Sequence, residues 1–233
     1  MASSEPRPPC RSRRPATATV PAVSGRRRAE DDKAASRGYF DGEAGRYESH
    51  RRWRRVLREQ ARALGALELQ PEDELLDVGC GSGLAVREAA PFVTRAIGLD
   101  LSPGMIEEAR RLALHLDNVA FELGDAEKLP FADGVFSAVL CSTSIHHYPQ
   151  PDSAVREMAR VLARGGRIAI GDSNPEQLIV RIVDRRLKRD EPGHLGFRSP
   201  DEIARFLDEA GFAEIILRRQ HRRGSVIALA RKR

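Results

Sequence analysis

Cysteine is scarce in this 233-residue sequence: Cys10, Cys80 and Cys141 are the only three. An odd number without framework spacing speaks against a disulfide-stapled secreted fold and predicts a reducing compartment, the cytoplasm. Long hydrophobic runs are also missing. No stretch approaches the roughly 18 apolar residues of a spanning helix, and no apolar segment follows the N-terminal basic residues. A membrane span and a secretory leader are therefore not expected. The segment rich in Arg, Ser, Pro and Ala at the start has some flavour of a transit peptide, but Glu5, several prolines and the lack of an amphipathic stripe count against that. Net charge is missing from most of the chain. Residues 1–37 hold nine Lys/Arg against four Asp/Glu, which accounts for the whole balance of +5. The remainder is neutral, so a nucleic-acid partner is not expected for the folded part. Residues 1–37 lack apolar periodicity and read as a disordered basic tail. Their removal is then expected to leave ligand binding intact.

Hydrophobic residues make up 41% and charged residues 31%, ordinary values for one globular domain of this length. From residue 38 onward the patterning predicts an α/β domain. A helix is expected from about Gly45, with Trp53, Leu57, Ala61 and Leu64 at helical spacing amid arginines that read as a solvated face. Strands are expected at 74–79, 95–100, 119–125, 136–142 and 166–172, with helices at 84–91, 102–116 and from Asp152 to Gly165-Gly166. Ser102 is the N-cap of one helix, and Ser199-Pro200-Asp201-Glu202 is a capping box for another. Two final runs, 213–220 and 224–231, predict a hairpin. Alternating strands and helices mean a Rossmann-like, doubly wound, mostly parallel sheet of seven strands with one late antiparallel strand. Within 38–233, residues 38–70 are expected to form a helical cap and 174–198 a lid.

Chemistry concentrates at "LLDVGCGSG", Leu75 to Gly83. Ligands of an open parallel sheet bind beyond the carboxyl ends of its strands. Three such ends carry an aspartate: Asp77, Asp100 and Asp125. The spacing Gly79-x-Gly81-x-Gly83 is not the dinucleotide G-x-G-x-x-G, because Leu84 stands where the third glycine belongs. The loop has no lysine, so it is not a P-loop. A polyphosphate beside Asp77 would be unfavourable, whereas a cationic group would not. Asp100 lies at the distance from the loop at which a carboxylate accepts bonds from two ribose hydroxyls. Asp125, one strand further, can accept from an exocyclic amine such as that of adenine.

Together with "GLDLSPGMIEEAR" (98–110), "GDAEKLPF" (124–131), "SIHHYPQP" (144–151), "VLARGGRIAI" (161–170) and "YFDGEAGRYE" (39–48), this loop resembles class I S-adenosylmethionine-dependent methyltransferases. The similarity is to the subgroup containing the ubiquinone and menaquinone biosynthesis enzymes. The motifs stand in family order over nearly all of the chain outside the tail. The resemblance implies S-adenosyl-L-methionine as cofactor. It implies that Gly79, Gly81 and Gly83, with Cys80 between them, approach its methionine part near Asp77. It places Asp100 on the ribose, Leu101 and Met105 beside the adenosine, and Asp125 with the backbone of Ala126 on the adenine. Cys141 and Ser142 would end their strand facing the sulfonium.

His146, His147 and Tyr148 follow the fourth strand at the rim and are the candidate general bases. The alternative for the histidines is that one packs and one bonds to backbone. No partner set with usable spacing surrounds them in sequence, so a metal is not expected. The expected acceptor is a small molecule. RNA or protein is the alternative, although an Asn/Asp-Pro-Pro-aromatic motif for nucleic-acid amines is missing. An NAD-dependent oxidoreductase lacks its third glycine and its Tyr-x-x-x-Lys pair. A cofactor-holding module without turnover remains a further alternative.

Overall fold

The computed structural model describes residues 23–220 and 224–233, without the side chains of 23–26 and 52. Cys10 and residues 1–22 lie outside the described residues. A seven-stranded sheet, in the order β3-β2-β1-β4-β5-β7-β6, organises the chain. Its strands are β1 (Glu74–Val78), β2 (Arg95–Asp100), β3 (Val119–Leu123), β4 (Phe136–Ser142), β5 (Leu162–Ser173), β6 (Phe212–Gln220) and β7 (Ser225–Lys232). Neighbours from β3 to β5 pair in parallel, and β7 runs antiparallel between β5 and β6. Single antiparallel insertion at the late edge agrees with the hairpin expected from sequence.

The central strands are buried on both faces, which is why they read as apolar runs and not as alternations. Side chains on a strand alternate faces. Leu76, Val78, Val139, Cys141, Ile168 and Ile170 pack on one side, against α5 (Pro151–Val161) and α7 (Pro200–Glu209). Leu75, Ala138, Leu140 and Ala169 pack on the other, against α2 (Arg54–Ala66), α3 (Leu84–Ala89) and α4 (Pro103–Leu112). Ser102 caps α4 by accepting from the Met105 amide, and the Ser199–Glu202 capping box is formed in full at α7. Within 174–198, α6 spans Leu178–Asp190.

Three boundaries differ from the sequence reading. The helix expected from Gly45 is two 3-10 turns, Ala44–Arg46 and Arg51–Trp53, before α2 begins at Arg54. α5 stops at Val161, because Leu162 already has extended backbone and pairs with Phe136; the Gly165-Gly166 dipeptide lies inside β5. The largest difference is at the N-terminal side. Residues 23–37, expected not to pack, belong to α1 (Val23–Glu43). This helix has no apolar stripe for a sequence reading to find. Phe40 at its C-terminal end packs against Tyr47, Trp53 and His147, and single polar contacts dock the rest. Lys33 Nζ pairs with Asp125 at 2.7 Å and with Glu127 at 2.5 Å. Ser36 is buried against Gly193, where an added Cβ would meet its Cα at 2.5 Å. Asp41 Oδ1 accepts from the Ser102 hydroxyl at 2.6 Å and the Gly104 amide at 2.9 Å.

Candidate active site

The chain leaves β1 for β2 and β3 on one side, and reaches β4 on the other. The gap between β1 and β4 is thus the topological switch point, the place where open α/β sheets bind ligands. Gly79 follows β1 there, at φ +77°. A Cβ on it would stand 2.5 Å from Ser144 Cβ and 2.7 Å from the Tyr148 hydroxyl. Thr143, just past β4, holds φ +54°, an unusual conformation for a β-branched residue and one that recurs at functional sites.

A cleft of about 690 Å³, counted out to its open mouth, fills this position. Gly79, Gly81, Asp100, Leu101, Met105, Asp125 and Ala126 line it, as the sequence reading expects of cofactor-binding residues. His147 and Tyr148 line it as well. The roof and far wall come from Phe40 of α1, Tyr47 and Ser144, which lie within the quoted motifs, and from Lys33 and Ser36 of α1 and Thr143, which the motifs do not mark. Tyr47 is buried against Trp53, with ring centroids 4.6 Å apart, and lies over Gly81. Burial, then the Asp100 charge, pushes its phenol well above the usual range.

Other expected site residues lie behind the cleft wall. Gly83, at φ +77°, faces the Phe121 ring, which a Cβ would approach to 2.4 Å. Its role is close packing of loop, helix and strand, not an opening toward the cleft. The Cys80 thiol is pushed well up by burial, and that of Cys141 to about 12; both stay protonated and inert. The Cys141 sulfur is 3.3 Å from the Ser144 hydroxyl, and Ser142 Oγ is buried without a partner. His146 is buried with Nδ1 2.8 Å from Asp172 Oδ2, while His147 Nδ1 donates to the Gly193 carbonyl at 2.9 Å. His146 is thus held by a carboxylate rather than by packing alone, and His147 by backbone. The expectation that no partner set surrounds them does not hold in three dimensions. His194, from the segment that follows α6, brings a ring nitrogen to within 4.8 Å of theirs.

The electrostatics of the loop suit a cation. Asp77 is fully buried, and among the described residues neither of its oxygens has a partner. Desolvation, then the neighbouring Asp100, raises its carboxyl to about 8. Asp100 accepts from the Gly81 amide at 2.8 Å and the Ser102 amide at 2.9 Å. A carboxylate offers about four acceptor positions, so roughly two remain for a ligand. An orphaned carboxylate, a Cβ-free approach at Gly79 and a carboxylate with spare lone pairs fit a cationic, ribose-bearing cofactor.

Fold and cleft together define a Rossmann-like domain of the S-adenosylmethionine-dependent methyltransferase class. Residues 76–170 match the family described as "Methyltransferase domain". The chain is 34% identical over 180 residues to 27-O-demethylrifamycin SV methyltransferase of Amycolatopsis mediterranei, covering 75% of this chain and 64% of that protein. It is 37% identical over 150 residues to demethylmenaquinone methyltransferase of Mycolicibacterium vanbaalenii, covering 60% and 61%. The chain therefore spans less than two thirds of the length of either relative. The crystal structure of a SAM-dependent methyltransferase of Thermotoga maritima, described as a possible histamine N-methyltransferase, superposes with a TM-score of 0.67. Its identity is 25%, over 85% of this chain and 100% of that one. The cofactor of this class is S-adenosyl-L-methionine. Among the described residues, no helix is long and apolar enough to cross a membrane.

Lys33 and Ser36 in the roof reverse the expectation for the tail. Removal of residues 1–37 should weaken S-adenosylmethionine binding about tenfold, the worth of one or two lost hydrogen bonds and an opened wall. Calorimetry on the truncated chain checks this, and an unchanged affinity would show that the roof does not reach the ligand.

Proposed function

We propose that this chain transfers a methyl group from S-adenosylmethionine to a small-molecule acceptor. The observation that carries this is the roof. Lys33, Ser36 and Phe40 of α1 cover the rim from one side, and Gly193 and Glu191 stand beside His147 on the other. A chamber closed in this way suits a compact acceptor better than a polymer. The relatives support the same reading, since the acceptors in their names are a demethylated rifamycin and a demethylated menaquinone.

When bound, the cofactor supplies a methyl group on a sulfonium, ready for direct displacement. This chain's residues supply alignment and exclude water. In this reading the Asp100 carboxylate accepts from the ribose hydroxyls. Asp125 and the Ala126 backbone face the adenine. Asp77, beneath Gly79 and Gly81, balances the positive charge of the methionine part. His147 stands at the acceptor side. Burial and the neighbouring His146 hold its ring well below the ordinary histidine range, so it is neutral at pH 7. Its Nδ1 proton is held by Gly193, which leaves the Nε2 lone pair to accept a proton from a hydroxyl or amine acceptor. Burial keeps Tyr148 protonated far above neutral pH. Its hydroxyl, 3.2 Å from the Val78 carbonyl and 3.0 Å from Ser144 Oγ, positions the rim and does not act as a base.

Two measurements test this reading. Calorimetry should give micromolar binding of S-adenosylmethionine and S-adenosylhomocysteine and none of NAD. Radiolabelled methyl from the cofactor, added with the protein to fractionated cell extract, should appear in the small-molecule fraction. Label found only in RNA or only in protein would overturn the acceptor class.

A further inference from the structure

Methyl transfer as proposed uses His147 and leaves His146 and His194 without a task. The three rings form one buried cluster. Their centroids stand 4.2 Å (His146–His147), 4.9 Å (His146–His194) and 5.8 Å (His147–His194) apart. Three imidazoles around one tetrahedral ion, each bonded at about 2.1 Å, have centroids about 5 Å apart. The cluster can offer three ring nitrogens that all lie within 4.8 Å of one another.

Each ring has one nitrogen engaged by an acceptor. His146 Nδ1 is 2.8 Å from Asp172 Oδ2, His147 Nδ1 is 2.9 Å from the Gly193 carbonyl, and His194 Nε2 is 2.9 Å from Asp184 Oδ1. Such partners fix the tautomer and aim of metal-binding histidines. They leave Nε2 of His146, Nε2 of His147 and Nδ1 of His194 to act as ligands. His194 is 4% exposed, and among the described residues its buried Nδ1 has no hydrogen-bond partner. A lone pair shut away from water and from every donor is the second, independent mark of a missing ligand. Glu191 Oε1, 3.7 Å from His147 Nε2, adds an oxygen donor within reach. Burial holds both His147 and His194 below the ordinary histidine range, in the neutral form that binds metals.

We propose that His146, His147 and His194 bind one divalent transition-metal ion of the zinc class. Three imidazoles select Zn²⁺, Co²⁺, Ni²⁺ or Cu²⁺ over Mg²⁺ and Ca²⁺, which prefer all-oxygen sites. The ion would tie the segment that follows α6 to the rim that follows β4. Because His147 also lines the cleft, the ion would stand at the acceptor side. Ligation consumes the Nε2 lone pair, so an ion here and proton acceptance by His147 exclude one another.

The test uses the full chain without an affinity tag, stripped with a chelator and titrated with Co²⁺. One ion per chain should bind, with the intense visible bands of four- or five-coordinate Co²⁺, and Zn²⁺ should displace it. His194→Ala should weaken binding about 100-fold, and Asp184→Asn about tenfold by freeing the His194 ring. His146→Gln serves as the second ligand variant if His194→Ala does not fold. A wild-type protein that gives no such bands, or a folded ligand variant that binds Co²⁺ as tightly as wild type, would overturn the site. The readout needs no methyl transfer, so its failure leaves the methyltransferase reading standing, and the reverse holds too.

Discussion

Asp100→Ala lowers the affinity for S-adenosylmethionine by about two orders of magnitude, the worth of two hydrogen bonds to a charged group. The carboxylate acts twice. It accepts from the amides of Gly81 and Ser102, and so ties the glycine loop to the start of α4. Its remaining lone pairs face the cleft. Burial raises its pKa more strongly than the backbone amides lower it, so the ionised form is short of donors until a ligand supplies them. Asparagine does not rescue. Its amide nitrogen would point hydrogens at either the Gly81 or the Ser102 N–H, and one acceptor oxygen is lost. Titration calorimetry, with a thermal melt to show that the variant folds, measures this. An affinity within threefold of wild type would remove Asp100 from the cofactor site.

Asp77→Asn is expected to stabilise the ligand-free protein and to impair it as a binder. The Asp77 carboxyl moves from its ordinary 3.8 to about 8 in the folded chain. Below the lower value both folded and unfolded chains carry the proton, and the group contributes nothing. Between the two values the unfolded chain releases the proton while the folded chain keeps it, so stability falls as pH rises. Above the upper value the whole cost of a buried, unpaired carboxylate is present. Asparagine has no such proton. The variant should therefore nearly match wild type around pH 4 and exceed it by on the order of 5 kcal/mol at pH 8. Paired denaturant melts across this range read the difference, and a gap that stays constant with pH would show that Asp77 is not the titrating group. Cofactor binding supplies the other half. A cation that settles beside Asp77 favours the ionised form, so wild type should release about one proton per cofactor near pH 7. Calorimetry in buffers of different ionisation enthalpy detects that proton. Asp77→Asn should release none and bind at least about tenfold more weakly.

Both aspartates are legible in the amino-acid sequence because strand ends announce themselves locally. An apolar run stops, an aspartate follows, and the glycines after it permit the sharp turn into a helix. β2 and β4 begin and end where the sequence reading puts them, and the caps at Ser102 and Ser199 form as expected. Periodicity, caps and turn chemistry act over a few residues, so the sequence by itself determined the element order, the mostly parallel sheet and the acidic rim of the cofactor cleft.

Tertiary structure alone decided the rest. α1 carries no apolar stripe, and its order comes from Lys33, Ser36 and Asp41 meeting partners far along the chain and from Phe40 packing on Tyr47, Trp53 and His147, contacts with no period to detect. It turned an expected tail into the roof of the cleft. Gly83 moved from the ligand to the Phe121 ring, because only the register of β3 against β2 brings that ring beneath it. His194 joined His146 and His147 only when the segment after α6 folded onto the rim, closing a cluster that the distance from His147 to His194 in sequence does not announce. Local patterning is written by short-range backbone sterics and burial. The roof of the cleft is built from contacts between distant segments, and their partners exist only once the sheet has set the segments side by side.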